Sequence, residues 1–224
     1  MVLTLAGVSL FASLGIWQLE RAAHKQAIED KYASRLAADY QLYRQGDESG
    51  DIAYRKLRFE GRFDEQHNFL LDNQVYESKA GFQVLTPFRL RDSDLIVLVN
   101  RGWAAWGPHR YPLPEVEPVS DLEQVSGIVH LPEASVFQLG EVKLTGEWPQ
   151  LIPYLDLELL REQYSPRLLP LVLWMDPDSN GSYVREWQPV WLPPEKSRAY
   201  AVQWFSFAAI ALLLFIILNL RKVE

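Results

Sequence analysis

The chain has 224 residues, 48% of them hydrophobic and 23% charged, with 22 Lys and Arg against 29 Asp and Glu for a formal net charge of −7. That is enough apolar material for a real core, while the acidic balance argues against nucleic acid, whose phosphates attract basic surfaces, as a partner. No cysteine is present, which excludes disulfides, thiolate nucleophiles and cysteine-based metal sites.

Residues 1–19 carry no charged side chain, and Trp17 marks one edge of the run; Thr4, Ser9, Ser13 and Gln18 dilute it. No Lys or Arg precedes the run and no small-x-small cleavage site follows it, so it is read as an uncleaved transmembrane helix rather than a signal peptide. Over residues 20–45 an apolar stripe of Ile28, Tyr32, Leu36, Tyr40 and Tyr43 predicts an amphipathic helical extension, ended by the turn at 46–50.

Strand signals then take over. In Lys56–Phe63 the residues Leu57, Phe59, Gly61 and Phe63 alternate with Lys56, Arg58, Glu60 and Arg62, the period of a half-buried strand. Strands are expected at 69–75 and 82–88, and the continuous run 95–99 reads as a central strand. Prolines make 111–118 a loop. Short strands at 125–131 and 136–144, a helix at 154–164, a strand at 168–175, a turn at 176–181 and a last strand at 183–191 follow. Short strands at this spacing predict an antiparallel sheet or a small barrel.

Residues 201–220 again lack charge, and twenty helical residues span about 30 Å, the hydrocarbon thickness of a bilayer. Trp204 stands at one end and Asn219, Arg221 and Lys222 at the other, as interfacial anchors. The expected fold is therefore an α+β membrane protein. Two transmembrane helices (residues 1–19 and 201–220) flank a mainly antiparallel β extramembrane domain (residues 46–200), with a short tail at 221–224. Two spans put both termini on one side. Arg221 and Lys222 favour a cytoplasmic tail, while Arg21, Lys25, Lys196 and Arg198 flank the domain side, so the positive-inside rule alone leaves the orientation open.

Little in the chain reads as catalysis. The histidines His24, His67, His109 and His130 show no i,i+3 or i,i+4 pairing, and no nucleophile-elbow, phosphate-loop or dinucleotide motif occurs. The expectation is a non-enzymatic protein without a metal site. The enzymatic alternative is a tethered hydrolase with His67 or His109 as base near Asp64 or Asp72, though no nucleophile motif accompanies it. Asp176, Asp178 and Asn180 imitate the start of a calcium loop, but Trp187 stands where the bidentate Glu belongs, so a type I turn with Asp and Asn caps is expected. The eight tryptophans suit core packing and interfacial belts, or a flat surface for a planar ligand or another protein's helices.

Five short motifs in order carry a resemblance. Gly15, Trp17, Gln18 and Arg21 form G-x-W-Q-x-x-R; Phe59, Gly61 and Phe63 form F-x-G-x-F; Gly81, Phe82, Val84, Thr86 and Pro87 lie in GFQVLTP; Val99, Asn100, Arg101, Gly102 and Trp103 form VNRGW; Tyr200, Ala201, Trp204 and Phe205 form Y-A-x-x-W-F. Together they resemble the surfeit-locus (Surf-one-like) family over nearly the whole chain. The resemblance implies a membrane-anchored assembly factor for haem-copper cytochrome c oxidase that assists haem a insertion. A scaffold that never binds haem is the alternative. It implies cytochrome c oxidase subunits, the bilayer, and haem a or its synthase as partners, and, as in bacterial members, an inner (plasma) membrane location with cytoplasmic termini and a periplasmic domain. Contacts to haem or a partner helix would fall to Trp17, Arg21, Lys196, Arg198, Tyr200, Gln203 and Trp204, with Lys196 and Arg198 pairing with propionates and Gln18 or Gln203 bonding across the helix pair. One departure is plain: the family often has His three residues before the Tyr of Y-A-x-x-W, and here that residue is Ser197, whose hydroxyl is a poor iron ligand.

Overall fold

The computed structural model describes residues 2–119, 123–132, 142–187 and 193–220, with the side chains of 2, 3 and 220 left aside. The chain divides into two compact units, Met1–Ser34 with Gln188–Glu224, and Arg35–Trp187.

The first unit is helical. Helix α1, Val2–Leu36, is continuous, and α3, Pro194–Leu220, closes the chain. Small residues let the two backbones approach: Gly15, Ala22, Ser197, Ala201 and Ala208 are all buried. Among the described residues α3 is the one helix long and apolar enough to cross a bilayer, over Pro194–Asn219. The second span expected at residues 1–19 is not shown, because its polar side chains dilute the run before Glu20 ends it. The α1 helix also stops at Leu36, short of the expected residue 45. Tertiary contacts override the local pattern there: Tyr43 is buried and stacks on Phe59 with ring centroids 4.7 Å apart, and the Tyr40 hydroxyl donates to Asp176.

The second unit is a sheet that closes on itself. Its strands are β1 Gln41–Leu42, β2 Lys56–Phe63, β3 Phe69–Tyr76, β4 Lys79–Leu90, β5 Ile96–Ala105, β6 Gln124–His130, β7 Gln150–Ile152 and β8 Leu168–Met175, with helix α2, Leu157–Gln163, before β8. The order β1-β2-β6-β8-β5-β4-β3-β7 with an extra β2–β4 pairing brings five strands, β2-β6-β8-β5-β4, back to their start. The alternation foreseen for β2 holds: Leu57, Phe59 and Gly61 are buried between wetter neighbours. Leu57 and Phe59 join Phe88, Val97, Val99, Val129, Leu171 and Leu173 in the main core. A second core of Leu70, Phe82 and Val84 lies under Trp106, Leu113, Val116 and Tyr183, so the proline-rich segment after β5 is a packed cover.

Most pairings are antiparallel, but β1–β2, β3–β7 and β5–β8 are parallel. The strand expected at 183–191 is reduced to a bridge between Trp103 and Val184, with residues 188–191 outside the described residues. That expected at 136–144 lies largely outside them as well, and its described end, 142–144, is not strand.

Candidate functional site

All seven residues expected to touch a ligand or partner helix fall in the helical unit. Helices α1 and α3 run antiparallel, since Gly15 meets Phe205 and Lys25 meets Ser197. Trp204 stacks on Phe11 with centroids 5.8 Å apart, and Phe207 closes on the same ring. Trp17 is half exposed, with the Arg21 guanidinium 5.3 Å from its ring centre. Tyr200 and Gln203 are exposed. Arg198 donates from Nη2 to Gln26 Oε1 at 3.0 Å and lies 3.9 Å from Glu195; Lys196 is exposed.

Among the described residues, Lys25 with Ser197 and Gln26 with Arg198 are polar bonds that join the helices, and neither is the expected one. Gln18 and Gln203 make no side-chain bond across the pair. Lys25 Nζ donates to Ser197 Oγ at 3.2 Å, and Arg198 reaches Gln26. The signal for this clasp was present in the sequence only as polar residues just outside the apolar run. Its register needs both helices in place.

The clasp decides how haem a would fit. Ser197 is 3% exposed and its hydroxyl is engaged by Lys25. The imidazole of this unit, His24, is exposed on α1, two residues and thus about 200° round the helix from the buried Ala22. Axial ligation of haem iron between the helices is therefore not supplied by these residues.

In the β unit two of the residues named for the enzymatic alternative, His67 and Asp64, share a polar knot. Asp64 accepts from His67 Nδ1 at 2.7 Å, Arg89 Nη2 at 2.7 Å and the Tyr164 hydroxyl at 3.3 Å. Burial pushes its carboxyl upward, but the hydrogen bonds and charges of His67 and Arg89 outweigh that and hold it below the usual carboxylate range. Desolvation, then the neighbouring Asp64, raises the Tyr164 hydroxyl. The knot borders a cleft of about 1080 Å³ lined by Arg62, Glu65, Pro118 and Glu123 among others. Among the described residues no Ser, Thr or Cys lines it, and the His67 ring is packed edge-on to Trp148. The other suggested pair is not formed: Asp72 is taken by Arg110 at 2.6 Å rather than by His109. Among the described residues no cluster of His, Asp or Glu is gathered for a metal. At the calcium-like turn the cation is an arginine, with Arg185 donating to the Ser179 and Asn180 carbonyls.

The motif residues of the sheet are structural. Asn100 Nδ2 donates to Gln83 and its Oδ1 accepts from Gly102 N. Gly102, at φ +122, lies so close to residues 183–185 that a Cβ would come within 2.7 Å of the Val184 carbonyl oxygen. Arg101 is 4% exposed; it donates to the Glu117 carbonyl at 2.7 Å and lies 5.2 Å from the Tyr183 ring centre. The described tryptophans of the β unit do not share one flat surface. Trp103 packs with Tyr76, Trp106 with Phe82, Trp148 with His67, and Trp174 with His130 and Trp187.

Residues 5–209 match the SURF1 family. Surfeit locus protein 1 of Xenopus tropicalis is 28% identical over 171 residues, covering 69% of this chain and 51% of the frog protein. A SURF1-like protein of Drosophila melanogaster is 28% identical over 221 residues, 88% of this chain and 69% of its own length. A SURF1-like protein of Monosiga brevicollis is 24% identical over 225 residues, covering 92% and 82%. The chain thus spans about half the length of the frog relative it matches.

Proposed function

This chain belongs to the SURF1 family, and from that premise we propose that it is a non-enzymatic, membrane-anchored assembly factor for a haem-copper cytochrome c oxidase. The observation that carries the reading is the pairing of the two terminal motifs. Gly15, Trp17 and Arg21 on α1 and Tyr200, Trp204 and Phe205 on α3 are far apart in sequence yet belong to one helix pair. In this reading the apolar half of α1 lies in the bilayer beside α3, both termini are cytoplasmic, and the β unit is periplasmic, in a bacterial plasma membrane. The half-exposed Leu5, Leu10, Ile16 and Trp17 on α1 support a lipid-facing surface.

The step it assists is haem a insertion, and its partners are oxidase subunits or the haem a synthase. The buried Ser197 favours a scaffold over a haem carrier: the helix pair would hold a partner protein in place while another protein ligates the iron. Two experiments test this. Purifying the tagged full chain in mild detergent should enrich oxidase subunits over an unrelated two-span control; no enrichment would sink the assembly role. Adding haem a to the purified chain should leave no stoichiometric absorbance after washing, whereas a retained spectrum would restore the carrier. Reporter fusions at residue 100 and at the C-terminus check the orientation.

A further inference from the structure

Among the described cations of the helical unit, Arg21, Lys25 and Lys196 have no carboxylate within 4.0 Å, and two of them, Arg21 and Lys25, stand together on α1. Arg21 and Lys25 are four residues apart on α1 and share a face. Among the described residues neither forms an ion pair within 4.0 Å. Lys25 has a neutral acceptor, the buried Ser197 hydroxyl, which uses one of its three ammonium N–H donors. Arg21 has the Trp17 ring face.

The antiparallel register fixes their depth. Lys25 is level with Ser197, four residues or about 6 Å outside the start of the apolar run at Ala201. Arg21, one turn nearer the apolar ends, is level with Tyr200 and Ala201, and Trp17 with Trp204. Charged groups above a pair of indoles match the order of phosphate and glycerol levels in a bilayer leaflet.

We propose that Arg21 and Lys25, with Ser197 positioning the ammonium group, bind the phosphodiester of an anionic phospholipid at the seam of the two helices. The site depends on α3 lying in the bilayer and is independent of the assembly role. It differs from a general basic collar in the pairing of two cations on one face beside a positioning hydroxyl: on α3, Arg198 is already bonded to Gln26 and faces Glu195, and the exposed Lys196 stands alone, two residues and thus about 200° round the helix from it.

Native mass spectrometry of the full chain purified in detergent tests this, with phosphatidylglycerol and phosphatidylcholine as probes. The unaltered chain should retain phosphatidylglycerol in preference. R21Q/K25Q should weaken that retention about twenty-five-fold, roughly five-fold per cation removed, while K196Q/R198Q should change it less than two-fold. Equal weakening by the two pairs would reduce the site to general surface attraction and overturn the proposal. Equal retention of both lipids by the unaltered chain would overturn it without any variant, which decides the matter should R21Q/K25Q fail to fold. Displacement of phosphatidylglycerol by haemin would give the cations to ring carboxylates and overturn the lipid assignment.

Discussion

At Gly15 any side chain would collide with Phe205, since a Cβ there would come within 2.7 Å of the ring's Cζ. Gly15→Leu should therefore part the helices by displacing that ring, costing about 1–3 kcal/mol, seen as a lower melting temperature of the detergent-solubilised chain. Two residues of the β unit make its stability depend on pH in separate windows. Burial pushes His130 down to about 4, and its ring stacks 4.2 Å from Trp174. The unfolded chain takes up that proton below about 6.5 while the folded one resists, so stability falls from pH 6.5 towards 4 and then levels off. His130→Gln should flatten the chemical-denaturation midpoint across that window. Asp64 acts in the same direction in a lower window: its folded value lies below the ordinary 3.8, so its contribution is present above that pH and is lost as pH drops through the lowered value. Asp64→Asn should cost about 1–3 kcal/mol at neutral pH and leave a shallower acid limb below pH 4. An unchanged acid limb would mean that the knot with His67, Arg89 and Tyr164 contributes nothing.

Among the elements, β2, β3, β6 and β8 were legible because each has one buried face or a continuous apolar run, and the hydrophobic period reports burial directly. Strands β1 and β7, of two and three residues, are too short to show any period. Their parallel pairing, like that of β5 with β8, depends on how distant segments meet. Tyr40 and Tyr43 continue the stripe of α1 in sequence yet leave the helix, because Phe59 and Asp176 offer them better partners. The proline-rich cover after β5 read only as a loop; its anchoring through Arg101 could not be read, since a buried arginine bonded to the Glu117 carbonyl has no sequence signature. Burial lowers the Arg101 guanidinium from its ordinary value, which the Tyr183, Glu65 and Glu117 charges partly offset. Arg101→Met keeps the bulk and removes the donors. It should raise amide hydrogen exchange over residues 113–119 and destabilise the unit by about 1–3 kcal/mol, while β2 and β6 exchange as before.

For the whole molecule, the two apolar ends and the β-rich middle were visible in composition alone. The pairing of the ends was visible only through motif residues that each looked weak singly. The seven residues expected at the site share one unit, but their bonds differ from expectation because helix register, not residue type, chose Lys25 with Ser197 and Gln26 with Arg198. Chemistry at the whole-molecule scale then turns on one question, whether this chain supports oxidase assembly while leaving the iron to another protein. The haem a content of cytochrome c oxidase in cells lacking this chain answers it most directly. Haem a per oxidase and oxidase activity should fall together in those cells, and both should return with the unaltered chain and equally with Ser197→Ala. Haem a content unchanged by the loss would contradict the account.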